Sequence, residues 1–242
     1  YFIWDHLRRQ DGRLIKRYRA GEASQPPHLD DYGFLIWGLI ELYQADFNPE
    51  YLRRALLLTD IMVEDFWDDQ GGGFFISGSE QKDLIVRGKE VYDGALPSGN
   101  STAAYNLIRL ARITSNPDLE RKAQRIGEVF ADQVNRVPQS HTQLLTALLF
   151  GSDPAFEVVI AGDQHASATK EMIKRIQRGY FPNAIVMLAP TNDPGSDIFK
   201  QVPILKDQPA LEGKATAYVC QDFTCSAPTT DIDQMLRLLK SP

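Results

Sequence analysis

Apolar and polar positions repeat along this chain at a fixed offset of 68 residues. Leu39-Ile40-Glu41-Leu42 answers Leu107-Ile108-Arg109-Leu110, and Pro49-Glu50-Tyr51-Leu52-Arg53-Arg54-Ala55 answers Pro117-Asp118-Leu119-Glu120-Arg121-Lys122-Ala123. Self-similarity of this kind marks stacked supersecondary units, none of which can bury its apolar face alone. In the first copy, Asp30 to Ala45 reads as a helix that is apolar nearly all round, through Phe34, Ile36, Trp37, Leu39, Ile40, Leu42 and Tyr43. Such a helix must be buried on most sides. Asn48 is a good N-cap and Pro49 suits a first helical position, so a second helix begins there. It is amphipathic, with Leu52, Ala55, Leu56, Ile61 and Met62 opposed by Arg53, Arg54, Asp60 and Glu64. One buried helix followed by one surface helix makes an inner–outer hairpin.

The second copy opens at Pro97-Ser98-Gly99-Asn100-Ser101 and runs its inner helix to about Ile113, with Ala103 and Ala104 small enough for close backbone approach. Asn116-Pro117 caps its outer helix, whose buried face is Leu119, Ala123, Ile126 and Phe130. Thr142 to Phe150 reads as a third inner helix with no third outer helix behind it. Residues 1–9 look like the tail of an amphipathic helix, and the loop from Gln10 to Leu29 has room for a short strand pair. Phe74-Phe75-Ile76 and Leu84-Ile85-Val86, introduced by Gly71-Gly72-Gly73, read as a β-hairpin.

Beyond Gly151-Ser152-Asp153-Pro154 the period changes. Phe156 to Ile160 is a strand, Thr169 to Gln177 a helix and Ala184 to Leu188 a strand, a βαβ unit with the usual right-handed crossover. Ala215 to Cys220 is a further strand and Asp231 to Lys240 a closing helix. The fold expected is mainly α, with residues 1–151 forming helical hairpins and 152–242 a small α/β subdomain.

Composition narrows the function classes. Against 32 Asp+Glu stand 26 Lys+Arg, a net charge of −6, which argues against a nucleic-acid or anionic-membrane surface. No apolar run approaches the ~20 residues that span a bilayer. Two cysteines in 242 residues point to a reducing cytoplasm rather than a disulfide framework. Tyr1-Phe2-Ile3-Trp4 reads like the inside of an element, so the chain is expected to be part of something longer.

The loops leading into the three inner helices hold most of the candidate chemistry. The first carries His28, Asp30, Asp31 and Tyr32; the second Arg87, Lys89, Glu90, Tyr92, Asp93, Ser98, Asn100 and Ser101; the third Gln139, Ser140, His141 and Gln143. Carboxylates flanked by aromatic rings suit a sugar site, since rings stack on apolar sugar faces and a carboxyl of raised pKa can donate a proton. Asp31 and Asp93 are the acid/base candidates. His28, Asp30, Lys89, Tyr92, Ser98 and Asn100 would bind hydroxyls, and Trp37 or Tyr92 would shape the floor. The bland alternative is that Asp30, Ser98 and Ser101 cap helices. Cys220-x4-Cys225 lacks the further ligands of a structural zinc site and is not a C-x-x-C redox motif. Two thiols beside a strand is the favoured reading, with a reversible redox pair the alternative. No metal or cofactor motif is present: Ala161-Gly162-Asp163 alone is no dinucleotide fingerprint.

Taken together, His28-Leu29-Asp30-Asp31-Tyr32, Gly72-Gly73-Phe74-Phe75, Lys89-x-x-Tyr92-Asp93-Gly94-Ala95-x-Pro97-Ser98-Gly99-Asn100-Ser101 and Ala217-Tyr218-Val219-Cys220-x4-Cys225-x-x-Pro228 carry a resemblance. The chain resembles, over nearly its whole length, the C-terminal part of the family of thioredoxin-domain-containing proteins typified by bacterial YyaL and spermatogenesis-associated protein 20. The resemblance implies an N-terminal thioredoxin-like domain followed by a six-hairpin (α/α) toroid, similar to N-acylglucosamine 2-epimerases and six-hairpin glycosidases. Three inner helices would then be about half of the ring. A small sugar in the mouth of the toroid is the ligand this implies, and the other half of the same protein is the partner. A non-catalytic binding or redox-regulatory module working with the thioredoxin-like domain is the rival reading.

Overall fold

The computed structural model describes residues 2–152, 155–221 and 224–240. Within them the chain is mainly α-helical with a small α/β part, and it divides into two compact units. One comprises Tyr1–Glu41, Glu50–Ile108 and Pro117–Leu149; the other comprises Leu42–Pro49, Arg109–Asn116 and Phe150–Pro242.

The elements run α1 (Phe2–His6), an antiparallel pair β1 (Arg17–Arg19) and β2 (Glu22–Ser24), then α2 (Leu29–Asp46), α3 (Pro49–Phe66), α4 (Gly99–Thr114), α5 (Pro117–Arg136) and α6 (Thr142–Ser152). The sequence repeat is also a repeat of backbone geometry. Helices α2 and α4 end at Asp46 and Thr114, and α3 and α5 begin at Pro49 and Pro117, each pair at the 68-residue offset. Between them Phe47 (φ 59°) and Ser115 (φ 55°) both take the left-handed conformation that turns one helix into the next. The buried positions Ala55, Leu58, Met62 and Phe66 of α3 correspond one by one to Ala123, Ile126, Phe130 and Val134 of α5. Helix α2 buries Tyr32, Ile36, Leu39, Ile40 and Tyr43, although Leu42 stays half exposed.

Helices α2 and α4 approach closely at Gly33, where a Cβ would sit 3.3 Å from the Thr102 side chain. There Asn106 Nδ2 donates to the Gly33 carbonyl at 2.8 Å. The loop after Gln10 is held to α3 by a bidentate pair: Arg13 Nε and Nη2 donate to Asp65 Oδ2 and Oδ1 at 2.7 and 2.9 Å.

The expected hairpin of residues 74–76 with 84–86 does not form. The Phe74 amide and carbonyl are both bonded by the Asn100 side chain, and the Ile76 amide donates to Gly88. The backbone groups a partner strand would need are occupied, and Leu84, Ile85 and Val86 lie exposed.

The second unit contains β3 (Phe156–Gly162), α7 (Ser167–Gln177), β4 (Ala184–Pro190), the short helix α8 (Ile198–Gln201), β5 (Thr216–Gln221), β6 (Thr224–Cys225) and α9 (Ile232–Leu238). The sheet order is β4-β3-β5-β6, with β3 parallel to β4 and antiparallel to β5. All seven residues of β3 are buried, as a central strand that is apolar at all but one position requires. Its one charge, Glu157, accepts from Arg112 Nη1 at 3.0 Å. Val158, Ile160, Met172, Ile176, Val219 and Met235 form the core here.

The favoured sequence reading of Cys220 and Cys225 as separate thiols is corrected: they are joined in a disulfide. Register is the reason. Cys220 and Cys225 are directly opposed partners across β5 and β6. No helix among the described residues is long and apolar enough to cross a membrane.

Candidate functional site

The loops leading into α2 and α4 lie in the first unit and enclose two cavities that share Asp30 and Leu96. One, of about 350 Å³, is lined by His28, Asp30, Glu90, Tyr92, Pro97 and Ser98, among others. The other, of about 480 Å³, is lined chiefly by Leu7, Ile15, Phe34 and Leu35, with Lys16, Asp30 and Asp31 as its charged members.

The local sequence explains how the walls are held. Asp31 stands three residues after His28 and its Oδ2 accepts the His28 amide at 2.8 Å, the reciprocal half of a capping box at the start of α2. Lys16 Nζ reaches the same carboxylate at 3.5 Å and donates to His28 Nδ1 at 3.0 Å. An ammonium can only donate, so Nδ1 is the acceptor and the ring proton sits on Nε2. Ser98, just before α4, accepts the Ser101 amide on its Oγ at 3.1 Å, an N-cap bond. Gly99 is required at the next position, since a Cβ there would lie 2.7 Å from Leu29.

Asp93 is fully engaged with backbone. Its Oδ1 accepts the Ser98 amide at 2.9 Å, and its Oδ2 accepts the Gln143 and Leu144 amides at 2.8 and 3.2 Å, capping α6 from 50 residues away. Asn100 is fully buried: its Oδ1 accepts from the Phe74 amide, and its Nδ2 donates to the Phe74 and Glu90 carbonyls at 2.9 Å. That last bond fixes Glu90 in the cavity wall. Lys89 turns to Asp68 Oδ2 at 2.7 Å and to the Gly72 carbonyl. This contact, with the amides of Gly71 and Gln70, draws the Asp68 carboxyl down to about 2. Tyr92 is 58% exposed at the rim.

Of the residues singled out from sequence, His28, Asp30, Tyr92 and Ser98 therefore line the smaller cavity, and Asp31 the larger. Lys89, Asp93 and Asn100 line neither. Trp37 lies elsewhere, its Nε1 donating to Glu41 at 3.0 Å and its ring edge-on to Tyr105. His141 bonds the Val137 carbonyl through Nδ1 at 2.8 Å. Lys16 and Leu96 carried no sequence signal, and Glu90 was one loop carboxylate among several. Among the described residues no three His, Cys, Asp or Glu side chains gather where they could hold a metal ion.

No family model matches this chain. Spermatogenesis-associated protein 20 of Homo sapiens is 38% identical to it over 237 residues, which is 94% of this chain and 30% of that protein. The Rattus norvegicus protein of the same name is 37% identical over the same shares. An uncharacterised Caenorhabditis elegans protein is 30% identical over 210 residues, 86% of this chain and 28% of its own length. The chain thus spans about 30% of the length of the first two of these curated relatives.

Proposed function

Given that the chain belongs to the spermatogenesis-associated protein 20 family, we propose that it forms part of a helical toroid whose helix-leading loops bind a small sugar or sugar derivative. The toroid reading rests on the two inner–outer hairpins, α2–α3 and α4–α5, repeating with matched helix ends, and on α6 as a third inner helix. The rest of the ring would come from the length of the relatives outside the match.

One observation carries the ligand class. Two carboxylate residues, Asp30 and Glu90, an imidazole, a hydroxyl and an exposed phenol ring line a single cavity of about 350 Å³. A volume near the low end of the range of about 300–1,000 Å³ suits a ligand of one or two sugar rings. Tyr92 offers a face for the apolar side of a pyranose, while His28 Nε2 offers a polar contact to a hydroxyl. In this reading Asp30 and Glu90 are the groups that reach the ligand, in an epimerase- or glycosidase-like proton transfer. Asp31 and Asp93 act one step back, holding His28, Ser98 and α6 in place.

Calorimetric titration of the full-length protein with monosaccharides, N-acyl amino sugars and disaccharides tests this. Saturable binding that weakens by about tenfold or more in Asp30→Asn or Glu90→Gln supports the reading, each tenfold being about 1.4 kcal/mol. Absence of binding across the panel overturns it.

A further inference from the structure

We infer that the β5–β6 hairpin is a thiol–disulfide exchange site in which Cys225 is the sulfur attacked and Cys220 the sulfur released, with a dithiol reductant as partner. The inference stands apart from the sugar reading and rests on different residues.

The two cysteines differ sharply in access. Cys220 lies on β5 and is 4% exposed, whereas Cys225 lies on the edge strand β6 and is exposed. Exchange requires a thiolate to approach a sulfur from outside, and access decides which sulfur it reaches. Burial closes the approach to Cys220. Approach to Cys225 is open.

The bond is also dispensable for holding the strands. It closes a loop with a sequence separation of only 5, and the stabilisation a disulfide supplies grows with the loop it closes. Strand β5 is anchored to β3 from Thr216 to Gln221 without it. The chain after Cys225 is anchored as well: the Ser226 amide donates to Val219 at 3.0 Å, and Ala217 and Thr229 exchange bonds at 2.8 and 3.0 Å. Opening the disulfide therefore leaves the ladder on both sides of it intact. A cross-link that adds little to the fold and presents one sulfur to solvent is suited to being opened and remade.

A thiolate of the dithiol attacks Cys225 Sγ, a mixed disulfide forms there, and the Cys220–Cys225 bond breaks with Cys220 leaving as a thiolate that takes a proton from solvent. The second thiolate of the reductant attacks its own bonded sulfur and releases Cys225. Two electrons pass, the dithiol becoming a disulfide and the cystine becoming two cysteines.

Treating the intact chain with dithiothreitol without denaturant, then alkylating and locating the labels by mass spectrometry, tests the site. Both cysteines should become labelled while the far-ultraviolet circular dichroism stays unchanged. With oxidised glutathione, Cys225 in Cys220→Ser should form a mixed disulfide about tenfold or more faster than Cys220 in Cys225→Ser. Brief treatment of the oxidised wild-type chain with reduced glutathione, stopped by acid and followed by alkylation, provides the comparison without a substitution: glutathione should sit on Cys225 and the alkyl label on Cys220. Reduction only under denaturing conditions, or equal reactivity of the two sulfurs, would overturn the proposal.

Discussion

Tyr32 and Asn100 occupy the same position of the two repeats, 68 residues apart, and each accepts a backbone amide from a neighbouring loop. Tyr32 Oη takes the Leu14 N–H at 2.9 Å, and Asn100 Oδ1 takes the Phe74 N–H at 2.8 Å. Both side chains are inaccessible to solvent. The repeat has kept the task, anchoring a loop to the first turns of an inner helix, while changing the residue that performs it. Burial is also what pushes the Tyr32 hydroxyl up to about 12.

Removing these anchors should have unequal effects. Asn100→Ala orphans one amide and strips a bond from two carbonyls, so a loss of about 3 kcal/mol is expected, against about 1 kcal/mol for Tyr32→Phe, which loses one bond and keeps the ring. Thermal or urea unfolding of the two variants checks the ratio. Equal losses would mean that the Asn100 network does not hold the Phe74 loop.

Positioning and ligand contact separate at the loop carboxylates. Asp93→Ala removes three amide contacts, including the cap of α6, and should destabilise by about 1–2 kcal/mol. Asp30→Asn and Glu90→Gln should change stability by no more than about 0.5 kcal/mol, as surface substitutions do. Their effect should fall on sugar binding instead. A stability loss in Asp30→Asn as large as that in Asp93→Ala would place Asp30 among the helix-holding groups.

Much of the helical part was legible because its signals are local. The apolar face of α3 and α5, the prolines at Pro49 and Pro117, and the Ser98 cap all lie within a few residues of what they determine. Asp93 and Asn100 were noticed as functional types, but their partners Gln143 and Phe74 lie 50 and 26 residues away, and no spacing rule reveals such pairings. The expected hairpin failed for the same reason: apolar runs at 74–76 and 84–86 met the local rule, yet a side chain from α4 had claimed the first run's backbone. The cysteine pairing followed from strand register, which the sequence spacing left open.

The Asp68–Lys89 contact predicts an acid-limb signature. The Asp68 carboxyl is held near 2 in the folded chain, first by Lys89 and then by the Gly71 amide, below its usual value of 3.8. A group depressed on folding contributes stability that is fully present above its unfolded pKa and is lost as pH falls through the folded one. Asp68→Asn should therefore be less stable than wild type above about pH 4, and the difference should shrink steadily toward pH 2. Urea midpoints of both proteins across this window are the measurement; a difference that is constant with pH would show that the charge is not the cause.

In the second unit, the outer edge of β4 is capped at Val186 by the Gln44 side chain. Gln44 Nε2 donates to the Val186 carbonyl at 2.9 Å while its Oε1 accepts the Val186 amide at 3.0 Å, so the amide occupies the place of a neighbouring strand residue. An unprotected edge offers such groups to other chains. Gln44→Ala leaves a buried donor and acceptor without these partners, which should cost about 2 kcal/mol and promote concentration-dependent association through β4. Gln44→Glu restores only the acceptor and should recover part of the loss. Unfolding curves with light scattering at several protein concentrations check both effects. Association in Gln44→Ala that is absent from Gln44→Glu would locate the exposed edge at the Val186 amide, because that is the group the glutamate still covers.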